Sequence, residues 1–222
     1  MNDKPVAAIV AAYNEEETIG PIIKTLVDSK LFRDVILISD GSTDHTAEIA
    51  RREGATLVHQ MPWKHGKGAA MMHGVAHTDA PLLFFLDADL KGLRVDHLKL
   101  ILDPVLKGKL AMCVGIRDRG KLAMKLAARL PLIGGERAMQ RRIFEDIPDK
   151  FMQGFMVESA MNYFCRSHKL PYGTVELPGL HIRRKMQKVG FWKGLKEYVH
   201  MDYQIAKAML TVRLGRFRGE FI

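Results

Sequence analysis

Two rhythms of hydrophobic residues alternate along the first half of this chain. Short, almost unbroken apolar runs lie at Val6–Ala12, Val35–Ser39, Thr56–His59, Leu82–Leu86 and Leu110–Gly115. Runs of that length, bounded by polar turns, read as strands buried on both faces. Between them apolar residues recur every three or four positions, which predicts helices. The clearest is Glu15–Ser29, with Ile19, Ile22, Ile23 and Leu26 on one face. Asn14 is placed to cap it, and Glu15 to Glu17 fall in the first turn, where the helix dipole favours acids. Further helices are expected from about Thr43 to Arg52, over Gly68–His77, and from about Val95 to Leu106. Five strands alternating with four helices through short connections predict a parallel, doubly wound α/β sheet.

The second half is less regular. Lys121–Leu130 reads as a basic amphipathic helix ending at Pro131, Arg137–Ile147 fits strand or helix equally, and Val157–His168 reads as helix. Gly173–Leu177 reads as a strand, and a long helix runs from Trp192 to about Val212.

At 222 residues, 47% hydrophobic, the chain can bury a core and is most simply one domain rather than a disordered polymer. No apolar run reaches the roughly 18–20 residues that span a bilayer. The start, Met1 to Pro5, leads straight into a strand without a cleavable signal pattern. Cys113 and Cys165 belong to no metal-type spacing and fit reduced thiols in a cytoplasmic protein. Net charge is +9, distributed as −2 over residues 1–115, +4 over 116–180 and +7 over 181–222. A basic back half suggests an anionic partner: nucleic acid, a phospholipid surface or a phosphorylated substrate. No recognisable nucleic-acid module is present, so nucleic acid is the weakest of these.

The chemistry concentrates at strand ends. Asp87 and Asp89 close the Leu82–Leu86 run and, two residues apart, project to the same side. Paired hard oxygens suit Mg²⁺ or Mn²⁺, although Asp also ends strands for purely local reasons. Ala12-Tyr13-Asn14-Glu15 ends the first strand and Ser39-Asp40-Gly41-Ser42-Thr43-Asp44 the second. In open α/β sheets ligands bind at the carboxyl ends of the strands, so three polar clusters meet on one rim. A G-x-G-x-x-G turn after the first strand, expected of a dinucleotide-binding dehydrogenase, is absent, as is the G-x-G-T-R of sugar nucleotidyltransferases.

These pieces, with Gly66-Lys67-Gly68-Ala69-Ala70 and Leu86-Asp87-Ala88-Asp89, resemble the family 2 glycosyltransferases of the GT-A fold, in the family's order over about the first half of the chain. Within that family the chain resembles polyprenyl-phosphate sugar transferases and glucosyl-phosphoglycerate-synthase-like enzymes. It implies transfer of a hexose from a UDP- or GDP-sugar with Mg²⁺ or Mn²⁺. Residues 1–115 would form the nucleotide-sugar-binding half of one GT-A domain, 116–190 the acceptor-side half and 191–222 a basic amphipathic helix. Asp40 would accept a hydrogen bond from the base imide, and Tyr13 and Glu15 would line the base and ribose pocket. Ala12 would let backbone come close. Lys67 would lie near the phosphates, Asp87 and Ala88 near the ribose and metal, and Asp89 on the metal itself.

On the acceptor side, Gly134 to Ala138 resembles the segment preceding the family's acceptor site. Gly154-Phe155-Met156-Val157-Glu158 resembles its later glycine-plus-acidic element. Glu158 reads as a general base for a hydroxyl acceptor or as a helix-start charge. Arg117 matches an arginine of the polyprenyl-phosphate enzymes, and Arg137 is a second candidate phosphate contact. His181 follows a predicted strand where relatives have a histidine that closes the metal site. The tail and the 121–130 helix can lie on an anionic membrane, pack on the sheet or form a dimer seam. The expected acceptor is therefore a polyprenyl phosphate or other membrane-linked group, the enzyme being cytoplasmic and peripheral to the membrane. A soluble enzyme acting on a glycerate phosphate is the alternative, and a nucleotide-sugar-binding module without turnover the reading from another class.

Overall fold

A computed structural model describes residues 5–117, 134–152 and 156–182. The helices expected at 121–130 and 192–212 lie outside the described residues. Element order is β1 (Val6–Ala12), α1 (Glu16–Asp28), β2 (Asp34–Ser39), α2 (Thr46–Arg52), β3 (Leu57–Gln60), α3 (Lys67–Ala76), β4 (Leu82–Asp87), β5 (Leu90–Lys91), α4 (Val95–Leu106) and β6 (Met112–Arg117). Then come β7 (Arg137–Gln140), α5 (Arg141–Glu145), a single 3₁₀ turn (Asp149–Phe151), α6 (Met156–Ser167), β8 (Tyr172–Leu177) and β9 (His181–Ile182).

Seven strands form one mostly parallel sheet in the order β3-β2-β1-β4-β7-β6-β8. The expected parallel arrangement holds except at β7, which runs antiparallel to both neighbours, β4 and β6. Residues 137–147 were ambiguous for a physical reason: they contain both elements. β7 ends at Gln140, whose backbone is still extended (φ −66°, ψ 135°), and α5 begins at the next residue. β5 and β9 form a separate two-stranded ribbon, pairing Leu90 with Ile182 and Lys91 with His181.

Side chains along each strand alternate between two cores, which is why the strands are apolar almost throughout. Ile9, Phe85, Val114 and Met139 face α3, α5 and α6, where Met71, Val75, Phe144, Met161 and Phe164 meet them. Val10, Phe84, Leu86 and Ala138 face α1 and α4, packing with Ile19, Ile22, Ile23, Leu98 and Leu102. Cys113 and Cys165 are free and buried. Burial pushes their thiols up to about 11 and about 12, which keeps them protonated and unreactive. No helix among the described residues is long and apolar enough to cross a membrane.

Candidate active site

The loops after β1 and β2 are stitched together by side chains acting on backbone. Asn14 adopts a left-handed conformation (φ 54°), tolerable for Asn because its short polar side chain can bond locally. Its Oδ1 accepts the Thr43 N–H at 2.9 Å, and its own N–H donates to Ser42 Oγ. It therefore joins two loops rather than capping α1, as expected from sequence; the N-cap position falls to Glu15. Asp44 serves two helices at once. One oxygen accepts the Glu16 N–H of α1 and the other the Thr46 N–H and hydroxyl at the start of α2. Burial opposes its ionisation, but those bonds from Thr46 and Glu16 hold the Asp44 carboxyl below its ordinary value.

Asp40, only 4% exposed, fixes the next loop. Its two oxygens accept the backbone N–H groups of His65 (2.7 Å) and Gly66 (2.8 Å), just before α3. Gly41 makes that approach possible. Its φ is +72°, and a Cβ there would stand 2.5 Å from backbone atoms of Trp63 and Lys64. The same loop carries Lys64, whose ammonium lies 3.7 Å from the centre of the Tyr13 ring.

α3 then delivers Lys67 to the end of β4. Its ammonium donates to Asp87 Oδ1 (2.7 Å) and to Glu158 Oε1 (2.6 Å) from the first turn of α6. Burial works against both charges of the Lys67–Asp87 pair. Their attraction wins: Lys67 is held above and Asp87 below its ordinary value, Arg117 helping the latter. Arg117 Nη1 lies 3.7 Å from Asp87 and 3.3 Å from Glu136.

The antiparallel register of β7 explains how Glu136 and Arg137 reach this place. Phe85 pairs with Arg137, so two residues further Asp87 faces Gly135, beside Glu136. Arg137 is wholly buried behind the site. Its guanidinium bonds the Gly134 carbonyl and the Glu158 carbonyl, and lies 3.9 Å from the Glu158 carboxylate. The expected phosphate contact is thus corrected by burial: Arg137 holds α6 against β7 and presents no donor to the cleft. Glu136, within the segment Gly134 to Ala138 and given no role by the sequence, is also wholly buried. Neither of its oxygens accepts a hydrogen bond among the described residues. Burial, reinforced by Asp87 and opposed by Arg117, pushes its carboxyl up to about 7.

These elements border a cleft of about 360 Å³ at the carboxyl ends of β1, β2 and β4. Ala12, Tyr13, Glu15, Asp40, Lys67, Asp87, Ala88, Asp89 and Arg117 all line it, so nine sequence-predicted site residues come together. Lys64 and Ile182 join them. Glu158 stands one layer back, behind Lys67. His181, exposed, is not among the lining residues, but β9 pairs it with Lys91, two residues beyond Asp89. Asp87, Asp89, Glu136 and Glu158 face Lys67, Arg117 and Arg137, four formal negative charges against three positive. Two hard carboxylates at the cleft, Asp87 and Asp89, fit a divalent cation.

Residues 7–164 match the profile described as Glycosyl transferase family 2. The chain belongs to that family. Among solved structures, the fold is shared with the glucosyl-3-phosphoglycerate synthase of Mycobacterium tuberculosis. Its complex with Mn²⁺, UDP and glucosyl-3-phosphoglycerate superposes with a TM-score of 0.78 at 24% identity, over 95% of this chain and 80% of that one. Its complex with Mn²⁺, UDP and phosphoglyceric acid gives 0.75 at 25% identity, over 95% and 78%. In sequence, the chain is 36% identical over 108 residues to the 4,4'-diaponeurosporenoate glycosyltransferase of Staphylococcus aureus (strain USA300). That stretch is 46% of this chain and 28% of the relative, so the chain spans well under two thirds of that protein.

Proposed function

We propose that this chain transfers a hexosyl group from a UDP- or GDP-sugar, bound with Mg²⁺ or Mn²⁺, to a phosphate-bearing acceptor. The observation that carries this reading is the convergence of Tyr13, Asp40, Asp87 and Asp89 on one cleft. Asp40 is held rigid by two backbone donors, and each carboxylate oxygen keeps a further lone pair to accept a base imide. Tyr13, with Lys64 over its face, would flank the base, and Glu15 the ribose. Asp87 and Asp89 would hold the cation, with His181 as third ligand from the adjoining ribbon. When bound, such a cation supplies neutralisation of the charge that builds on a departing nucleoside diphosphate. Lys67, fixed by Asp87 and Glu158, adds a positive charge beside it.

On the acceptor side, Arg117 reaches the cleft and offers the planar donor fork that suits phosphate. Glu158 is already ion-paired to Lys67 and lies near Arg137; its role is to position Lys67 rather than to take a proton. A phosphate nucleophile, being already anionic, needs no base. That favours a polyprenyl phosphate or similar lipid-linked acceptor, with the basic tail toward an anionic membrane on the cytoplasmic side. The second reading, a soluble enzyme using a glycerate phosphate, is supported by the likeness to the phosphoglycerate-bound synthase structures.

A thermal-shift panel of UDP- and GDP-sugars with and without Mn²⁺ tests the donor reading, since a ligand of the folded state raises its melting temperature. A Mn²⁺-dependent shift with one base, lost in Asp89→Ala, is expected; no shift with any sugar nucleotide overturns it. Flotation with anionic liposomes, and product formation from polyprenyl phosphate against 3-phosphoglycerate, separate the two acceptors.

A further inference from the structure

Away from the acidic cleft, three imidazoles converge where β3 meets α3. His59 belongs to β3, His73 to the last turns of α3, and His77 is that helix's C-cap residue. Ring centroids lie 4.1 Å apart for His59–His73, 4.7 Å for His73–His77 and 5.5 Å for His59–His77. One ring nitrogen from each can be chosen so that all lie within 4.8 Å of one another. We infer that His59, His73 and His77 form a second metal site, selective for a borderline ion such as Zn²⁺ over Mg²⁺ or Mn²⁺.

The spacing is a natural one. Residues four apart on a helix share a face, which brings His73 and His77 together, and the parallel sheet supplies His59 opposite them. Zinc bonds to imidazole nitrogen at about 2.0–2.1 Å, so ligand nitrogens in a tetrahedral shell are about 3.3 Å apart. Small rotations of exposed or half-buried rings close the remaining gap.

Two details point to a ligand rather than to packing alone. His73 Nε2 is buried without a hydrogen-bond partner among the described residues, an uncommon state for a polar atom in a folded protein. His77 Nδ1 lies 2.7 Å from the His73 carbonyl. A carbonyl can only accept, so Nδ1 carries the proton and Nε2 presents a lone pair, the tautomer that metal-bound histidines adopt. Exposure of His77 leaves the fourth position open to water.

Chemistry separates this site from the first. Imidazoles without a carboxylate suit Zn²⁺, Ni²⁺ or Cu²⁺, whereas the cleft offers hard oxygens. Along α3, at about 1.5 Å per residue, His73 and His77 stand roughly 9 and 15 Å beyond Lys67. None of the three histidines lines the cleft. A bound ion would fasten the edge strand β3 to α3, closing the segment that contains Trp63, Lys64 and His65.

The test is equilibrium dialysis of metal-free protein against Zn²⁺ in excess Mg²⁺, on wild type, His77→Ala, a His59→Gln/His77→Ala double variant and Asp89→Ala. One Zn²⁺ per wild-type chain is expected. His77→Ala should weaken it at least tenfold, the double variant should abolish it, and Asp89→Ala should leave it intact. Melting curves of the metal-free variants, matching wild type, establish that folding is preserved, and the exposed His77 makes that variant the safest. Absence of Zn²⁺ from wild type overturns the site. So does loss in Asp89→Ala with retention in the double variant, which would place the ion at the acidic cleft.

Discussion

A Cβ on residue 135 would stand 2.1–2.2 Å from the carboxylate of Asp87, so Gly135 sets where that acid can be. Asp87 closes β4 and Gly135 lies two residues before β7, whose register against β4 is fixed over four pairs, leaving the carboxylate as the part that must move. In Gly135→Ala, turnover should fall on the order of 100-fold, the cost of a misplacement near 1 Å. Overpacking should lower stability by about 1–3 kcal/mol. Mn²⁺ titration alongside urea unfolding reads both; unchanged metal affinity and turnover would sink the idea.

Lys67 separates two carboxylates that would otherwise face each other. Lys67→Met should destabilise the protein by about 2–3 kcal/mol, somewhat less than breaking a fully buried pair, because the lysine side chain is 27% exposed. Adding Glu158→Gln should restore part of the loss, since one uncompensated charge disappears. A double-mutant cycle by urea denaturation checks it, and strict additivity would mean that the ion pairs contribute nothing specific.

Glu136 should give this protein an unusual acid–base signature. Its carboxyl has an ordinary value of 4.5 and stands at about 7 in the folded protein. Between those values the folded chain holds a proton that the unfolded chain has lost. Its contribution to stability is therefore complete below about 4.5 and is lost as pH rises to about 7. Glu136→Gln should remove a fall of about 1–3 kcal/mol between pH 5 and pH 8, measured by urea unfolding in EDTA. Parallel pH profiles for the two proteins would show that the carboxyl is not the cause.

Asp44 behaves oppositely. Its folded value is depressed, so its contribution is present above about 3.8 and fades as pH falls through the folded value. Removing both caps at once in Asp44→Ala should cost about 1–2 kcal/mol. Asp44→Asn, which keeps one acceptor, should lose about half of that. Chemical denaturation at pH 7 and pH 3 distinguishes them, and an Ala variant as stable as wild type at pH 7 would refute the shared cap.

Much of this molecule can be read from local pattern, and the failures have identifiable causes. β1, β2 and β4 are buried on both faces, so they announce themselves as apolar runs, and the polar residues that follow them had to meet on one rim. Asp40, Asp87 and Asp89 were legible for that reason. Arg137 was misread because nothing local separates a buried arginine from an exposed one; its burial follows from pairing with Phe85 and Val114, both distant in sequence. Glu136 was overlooked on the same ground. β5 and β9, two residues each, are too short to show any periodicity. Asn14 looked like a cap because its partner, Thr43, lies 29 residues away.

The reversed strand β7 also imposes an order of assembly. Among the described residues, β6 and β8 join the remainder of the sheet only through Arg137–Gln140. A nascent chain that has emerged only as far as β6 therefore ends its first sheet at β4, paired with β1 on one edge but with the backbone groups of Leu82 to Phe85 that would meet β7 left unpaired. Such an open edge invites pairing with other chains, so ribosome-bound intermediates of this length should be the species that aggregate or recruit chaperones.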